Sequence, residues 1–259
     1  MTQDITPQLA SPSTAVVITG GASGLGKASA RALAAVGRPV AIWDLDDRRA
    51  KTAAEEIASE FGVTAVGMGV DVRDLSAIAA AAEGTRALLL GIGGLVHCAG
   101  IVDTDSIDGL TQASWDSGIA VHLRAIPFLI KAFLPDLKAN PGSAIVATAS
   151  INATLGNAVN PVYSAGKGGV LSLVRSLADR LAVDGIRINS VSPGQIVTPM
   201  MQSAIQARGP DFFEQRILLG RMGEPEEIGR VVRFLLSDEA SYITAAEIVV
   251  DGGNISSQR

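Results

Sequence analysis

The 259-residue sequence predicts an α/β fold: one parallel sheet of about seven strands with helices on both faces. Three observations predict it. Short, continuous apolar runs alternate with longer helical segments along the chain, as in strands buried on both faces and joined by helical crossovers. Hydrophobic residues make up 47% of the chain but aromatics only 4%, so the core is built from Ala, Val, Leu, Ile and Gly, which suit close helix-on-sheet packing. The length suits one well-filled domain, and neither a linker nor an internal repeat interrupts it.

Each element has its own signal. Ala15 to Thr19 is an apolar run ending at glycines, a first strand, and Lys27 to Val36 is a helix stopped by Gly37. Pro39 to Trp43 is the next strand, Ala50 to Phe61 the next helix, and Val63 to Val70 a third strand. Leu75 to Leu90 is an Ala- and Leu-rich helix, followed by a fourth strand at Gly94 to Cys98. Ser114 to Leu137 reads as a long helix interrupted by Pro127. Ser143 to Ala149 is a fifth strand, Val162 to Val183 a long helix, and Ile186 to Val191 a sixth strand. Glu226 to Leu236 is a helix and Glu247 to Val250 a last strand. Between them, residues 198–223 carry Met200, Met201, Phe212 and Phe213 with few structural signals, which suits a substrate lid. Residues 1–13 read as a polar tail and 14–259 as the domain.

Composition excludes several function classes. The net charge is −5 and no basic block occurs, so nucleic acid is not an expected partner. Cys98 is the only cysteine and His97 and His122 the only histidines, which leaves no metal-site spacing. No apolar run approaches a membrane span, and the first residues lack the pattern of a signal peptide; the expected location is cytoplasmic.

The first strand runs into Thr19-Gly20-Gly21-Ala22-Ser23-Gly24-Leu25-Gly26. Glycines there let the backbone turn sharply and approach a pyrophosphate, which the N–H groups of the following helix then hold. Gly20, Ser23, Gly24, Leu25 and Gly26 are the candidate contacts. Following a strand and opening a helix, the turn predicts a single Rossmann-type, doubly wound domain. The second strand ends at Asp44, whose carboxylate can accept from both ribose hydroxyls of NAD and repel the extra phosphate of NADP; capping of the next helix is the plainer role, which Asp46 can fill instead. NAD is therefore the expected cofactor. Asp71 and Val72 end the third strand, where they can meet the adenine edge, although Asp71 also suits an ordinary turn.

Tyr163 and Lys167 lie one helical turn apart in Tyr163-Ser164-Ala165-Gly166-Lys167, on one helix face. A phenol has a pKa of about 10. Lowering it by roughly 3 units takes about 4 kcal/mol of preferential phenolate stabilisation, which a neighbouring ammonium and a nicotinamide cation can supply. Such a phenol can take the alcohol proton as hydride leaves. Ser150, at the end of the fifth strand, can hydrogen-bond the substrate oxygen.

The Gly-rich turn, Asp44, Asp71, Ser150, Tyr163 and Lys167 together resemble the short-chain dehydrogenase/reductase family, as does Pro193-Gly194-Gln195-Ile196-Val197-Thr198-Pro199. The resemblance runs from about Thr14 to Gly253. It implies that Tyr163 is the acid/base, that Lys167 binds the ribose and lowers the tyrosine pKa, and that Ser150 positions the carbonyl or hydroxyl. It also implies that Pro193, Gly194, Ile196 and Thr198 lie at the nicotinamide end, with Ile196 and Thr198 holding the carboxamide and a nearby phosphate.

Two departures stand out. His97-Cys98-Ala99-Gly100 replaces the family's Asn-Asn-Ala-Gly beside the nicotinamide ribose, and packing is the expected role of His97 and Cys98. His122 stands where the family has a catalytic Asn, whose backbone carbonyl holds a water linked to the lysine. Pro127 leaves the Leu123 carbonyl unpaired and disturbs the turn beside His122, so a relay through that carbonyl can persist; the alternative is that the imidazole itself passes protons. Gly166, Gly168 and Gly169 suggest close approach by another element, and family members pair this helix across subunits, so a homotetramer is expected. The segment from Asn152 to Asn160 and the lid show little positive charge, which points to a neutral, fairly apolar alcohol or ketone, open-chain or cyclic. The competing readings are a 3-oxoacyl-thioester reductase of the same family and a catalytically silent nucleotide-binding or scaffold protein.

Overall fold

The computed structural model describes residues 6–256. Seven strands form one all-parallel sheet in the order β3-β2-β1-β4-β5-β6-β7: β1 (Ala15–Thr19), β2 (Val40–Asp44), β3 (Ala65–Gly69), β4 (Ile92–His97), β5 (Ala144–Thr148), β6 (Arg187–Pro193) and β7 (Glu247–Val250). Ten α-helices accompany them among the described residues. They are α1 (Gly24–Ala34), α2 (Asp47–Phe61), α3 (Leu75–Leu88), α4 (Gln112–Ile119), α5 (Ala125–Ala139), α6 (Asn152–Leu155), α7 (Pro161–Ala182), α8 (Gln202–Arg208), α9 (Asp211–Glu214) and α10 (Pro225–Leu235).

Side-chain alternation along each strand divides the core. In β1, Ala15 and Val17 face α3, α5 and α7, where Ile126, Leu129, Phe133 and Val174 are buried. Val16 and Ile18 face α1, α2 and α10, against Leu33, Ile57, Ile228 and Val232. This double winding places a crevice where the strand order reverses, between the carboxyl ends of β1 and β4. Thr19 there pairs with His97.

The long helix expected from Ser114 to Leu137 is continuous from Gln112 to Ala139, but its turn at Ala120–Arg124 is a π-turn, where the Ala125 N–H reaches back to the Ala120 carbonyl. Pro127, with no N–H to give, lies just beyond it. This helix is apolar and long enough to cross a membrane, which the sequence reading missed. It is instead a core helix: Ala125, Ile126, Leu129, Ile130, Phe133 and Leu137 pack against the sheet.

Two segments are more ordered than expected. The described part of the polar tail is tied down, with Gln8 N–H donating to Glu239 Oε1 at 2.8 Å and Asp238 N–H donating to the Ser11 carbonyl at 2.7 Å. The lid holds a 3₁₀ turn at Pro199–Met201 and helices α8 and α9. Its two ends are clamped by Val197 N–H to the Gly223 carbonyl and Gly223 N–H to the Gln195 carbonyl, both 2.9 Å.

Candidate active site

A cleft of about 1040 Å³ opens at the crevice. That is at the upper end for small-molecule sites, with room for a dinucleotide and a substrate. Every residue expected to bind cofactor or to act in catalysis lines it, except His122.

At one end is the turn after β1. Gly20 and Gly24 have φ of 64° and 47°, a region L side chains rarely adopt. A Cβ on Gly20 would lie 2.8 Å from the Ala99 backbone, and one on Gly26 would lie 2.1 Å from the Gly20 carbonyl oxygen. Only bare backbone closes this turn. Ser23 precedes α1 in extended conformation and makes no side-chain cap, so the first N–H groups of α1 are left for an anion. Asp44 accepts from Ala22 N–H at 3.1 Å, which fixes its carboxylate against the turn. Asp46, not Asp44, caps α2, accepting from Arg49 N–H at 3.1 Å. The cradle therefore fits a dinucleotide. Asp71 is engaged by the guanidinium of Arg73, which holds its carboxyl below the usual range, and both residues line the cleft.

The turn after β4 is held by groups of the strand ends. The Thr19 hydroxyl hydrogen-bonds His97 Nδ1 at 2.8 Å and accepts from Ala99 N–H at 3.3 Å. His97 Nε2 donates to the Val121 carbonyl at 2.9 Å. Val121 lies in the π-turn, so His97 ties β4 to that turn; burial holds its pKa at about 3, and the ring is neutral. Packing was the expected role of His97, and this is its geometry. Cys98 Sγ lies 3.2 Å from Thr148 Oγ1 and faces the cleft.

At the other end, Ser150, Tyr163 and Lys167 converge. The Ser150 hydroxyl hydrogen-bonds the Tyr163 phenol and accepts from Asn152 N–H at 3.1 Å. Lys167 Nζ lies 5.6 Å from the Tyr163 ring centre and donates to the Thr148 carbonyl at 2.5 Å. Burial lowers the Lys167 pKa from 10.5 to about 8. Burial also raises the Tyr163 pKa, opposed only by Ser150. Without cofactor, burial is the larger influence on the phenol; the expected lowering counts on a bound nicotinamide cation as well as the ammonium.

His122 sits behind this group, 1% exposed. Its ring meets the Tyr163 ring edge-on, with centroids 5.1 Å apart. Nε2 donates to the Ile101 carbonyl at 2.8 Å, and Nδ1 has no partner. Burial and the Lys167 charge lower its pKa to about 3, so the ring stays neutral, and it bonds neither Tyr163 nor Lys167. This geometry makes it a brace for the tyrosine.

Sequence reasoning missed Asp103. Its two carboxylate oxygens accept from the N–H groups of Val162 and Tyr163, at 3.1 and 3.0 Å. It thereby caps α7 from another loop, where the N-cap residue Asn160 makes no cap of its own. Only spacing of 60 residues links Asp103 to Tyr163, so no local signal marks it. Close approach by another element was expected at the glycines of α7: a Cβ on Gly166 would meet His122 Cβ at 2.9 Å and one on Gly169 would meet Leu123 Cδ2 at 2.7 Å, so both admit the π-turn. One further expectation is corrected: the lid brings positive charge to the cleft, in Arg208 and Arg216.

The chain is similar to known proteins along nearly its whole length. The family model described as Enoyl-(Acyl carrier protein) reductase matches residues 20–254. A probable galactose dehydrogenase of Rhizobium meliloti (strain 1021) is 32% identical, over 92% of this chain and 93% of that one. A 3-oxoacyl-[acyl-carrier-protein] reductase of Aquifex aeolicus (strain VF5) is 34% identical, over 92% and 95%. The crystal structure of L-sorbose reductase from Gluconobacter frateurii, complexed with NADPH and L-sorbose, superposes with a TM-score of 0.89 at 27% identity, over 94% of this chain and 97% of that one. Matched along nearly its whole length and sharing the same sheet, the chain belongs to the short-chain dehydrogenase/reductase family and is an oxidoreductase.

Proposed function

We propose that the protein interconverts a secondary alcohol and a ketone, using NAD. The observation that carries this reading is the buried Ser150–Tyr163–Lys167 group facing the Gly-rich turn across one cleft. Bound along Gly20 to Gly26 and Asp44, the nicotinamide would supply the hydride acceptor or donor. The chain's own residues do the rest. Ser150 orients the substrate oxygen, and its hydrogen bond favours the phenolate. Tyr163 takes the hydroxyl proton in oxidation and returns it in reduction. Lys167 keeps a positive charge beside the phenol and, with Thr148 accepting one N–H, has two donors left for a ribose. The preference for NAD rests on Asp44, since a carboxylate fixed at the ribose end repels a 2′-phosphate.

A 3-oxoacyl-thioester reductase is the second reading. Arg208 and Arg216 at the mouth favour it, as a basic entrance for an acidic carrier; Asp44 opposes the NADPH expected with it. One experiment separates them. Purified protein is mixed with NAD and a panel of open-chain and cyclic secondary alcohols, and in parallel with NADPH and acetoacetyl-coenzyme A, following nicotinamide absorbance. Turnover with NAD and an alcohol, lost in Tyr163→Phe, is the expected result. Turnover confined to NADPH and the thioester would replace this reading with the second. NAD binding with no turnover of any compound would speak for the silent nucleotide-binding protein. A homotetramer is proposed on family resemblance alone, and light scattering at micromolar concentration tests it.

A further inference from the structure

Charge is distributed unevenly around the cleft. Its lining carboxylates, Asp44 and Asp71, lie at the nucleotide end. At the lid end the lining charges are Arg208 and Arg216. The acids of the same segment, Asp211 and Glu214 on α9, do not line the cleft and form no ion pair with either arginine. Arg221, the third arginine of the lid, is already neutralised by Glu227. Among the described residues, neither the Arg208 nor the Arg216 guanidinium makes a hydrogen bond or a salt bridge, and both residues are exposed.

Their position is nonetheless defined. The Arg208 guanidinium lies 4.7 Å and that of Arg216 lies 5.3 Å from the centre of one ring, Phe212, which also lines the cleft. Stacking on an aromatic face orients a guanidinium while leaving its N–H edge free. The Arg216 backbone is held in addition, its carbonyl accepting from Asn254 Nδ2 at 3.0 Å. Two like charges gathered around one ring repel each other, and a bound anion relieves that repulsion. The planar fork of donors matches a carboxylate, sulfonate or phosphate.

We propose that Arg208 and Arg216 form an anion-binding subsite, and that the substrate is a secondary alcohol or ketone bearing an oxyanion. This rests on the oxidoreductase reading of the same cleft and replaces the neutral substrate expected from sequence. The hydroxyl is held at Ser150 and Tyr163 and the anion under the lid, so one molecule spans both ends of the substrate half.

The test compares hydroxy acids with their methyl esters, which share a skeleton and differ in charge: 3-hydroxybutyrate, 5-hydroxyhexanoate and 7-hydroxyoctanoate, each with NAD. At one chain length or more, kcat/KM for the acid should exceed that for the ester at least tenfold. Added salt should erode the preference. Arg208→Gln and Arg216→Gln should each lower the acid-to-ester ratio at least tenfold, while Arg230→Gln on the outer face of α10 should leave it in place. Esters turned over as well as acids at every length, or a ratio unmoved by both lid variants, would overturn the proposal. So would a loss of NAD affinity in both variants with the ratio intact, which would put the two charges on the dinucleotide. If no alcohol is turned over, the oxidoreductase reading fails separately. Calorimetry of hexanoate against methyl hexanoate with the NAD-loaded protein then decides the subsite: tighter hexanoate binding that both lid variants abolish supports it, and equal binding overturns it.

Discussion

Replacing Lys167 by Met removes a charge from one of the most enclosed places in the protein. Lys167 is 3% exposed, and burial lowers its pKa from 10.5 to about 8. Below pH 8 the ammonium is charged in both the folded and unfolded states, and the fold bears the full cost of burying it. Two and a half pKa units at 1.36 kcal/mol each put that cost at about 3 kcal/mol. As pH rises from 8 towards 10.5 the folded state gives up this proton before the unfolded state does. The unfolded state then binds more protons, so wild-type stability rises with pH relative to the variant. Met carries no proton and shows no such gain. Urea unfolding of both proteins without cofactor at pH 7.5 and pH 10 gives two stability differences. The second should favour the wild type by about 2 kcal/mol more than the first. Comparing differences cancels other titrating groups and the fixed loss of the hydrogen bond to Thr148. An unchanged difference would refute a burial-depressed lysine. A shift of opposite sign would mean that a negative partner, such as a Tyr163 phenolate, outweighs desolvation.

Four further outcomes follow from the packing around α7. Asp103→Ala removes both acceptors from the first turn of α7 and should cost about 1–2 kcal/mol in urea unfolding, with a fall in kcat larger than any rise in KM, because the displaced group is the proposed acid/base, Tyr163; wild-type stability and turnover would rule out the cap. Gly166→Ala should destabilise by about 1–3 kcal/mol despite the better helix propensity of alanine, since its Cβ meets His122 Cβ. Gly168→Ala, with nothing nearer than the Ala153 carbonyl oxygen at 3.8 Å, should stabilise by about 1 kcal/mol, and thermal melts that rank the two the other way would place a subunit interface at Gly168. His122→Asn should leave kcat within about tenfold, or about 1.4 kcal/mol of barrier, and should leave the pH profile between 5 and 8 without a lost inflection, because the imidazole is already neutral there; a vanished inflection would restore the proton-passing role.

Much of the architecture was written in local pattern. Each strand is a short apolar run and each major helix a longer periodic one, so the winding of β1 to β7 could be read from residues that are neighbours in the chain. The Gly20–Gly26 turn was legible because backbone at positive φ restricts residue type, and Tyr163 with Lys167 because four residues make about one helical turn. The π-turn was partly legible, since Pro127 announces a missing N–H without saying which register compensates. The lid was the weakest reading. Its helices α8 and α9 are seven and four residues long, too short to carry a period.

The sequence by itself determined the sheet, the Gly-rich turn and the spacing of Tyr163 and Lys167, because each follows from contacts within a few residues or from the conformation of single residues. Tertiary structure alone decided what surrounds them. Asp103 reaches the amide of Tyr163, His97 reaches the Val121 carbonyl, His122 fills the space left by Gly166, and Arg208 and Arg216 meet on Phe212 at the cleft. It also set how strongly burial acts on the phenol, since desolvation depends on how completely distant segments exclude water from Tyr163, and no spacing along the chain encodes that.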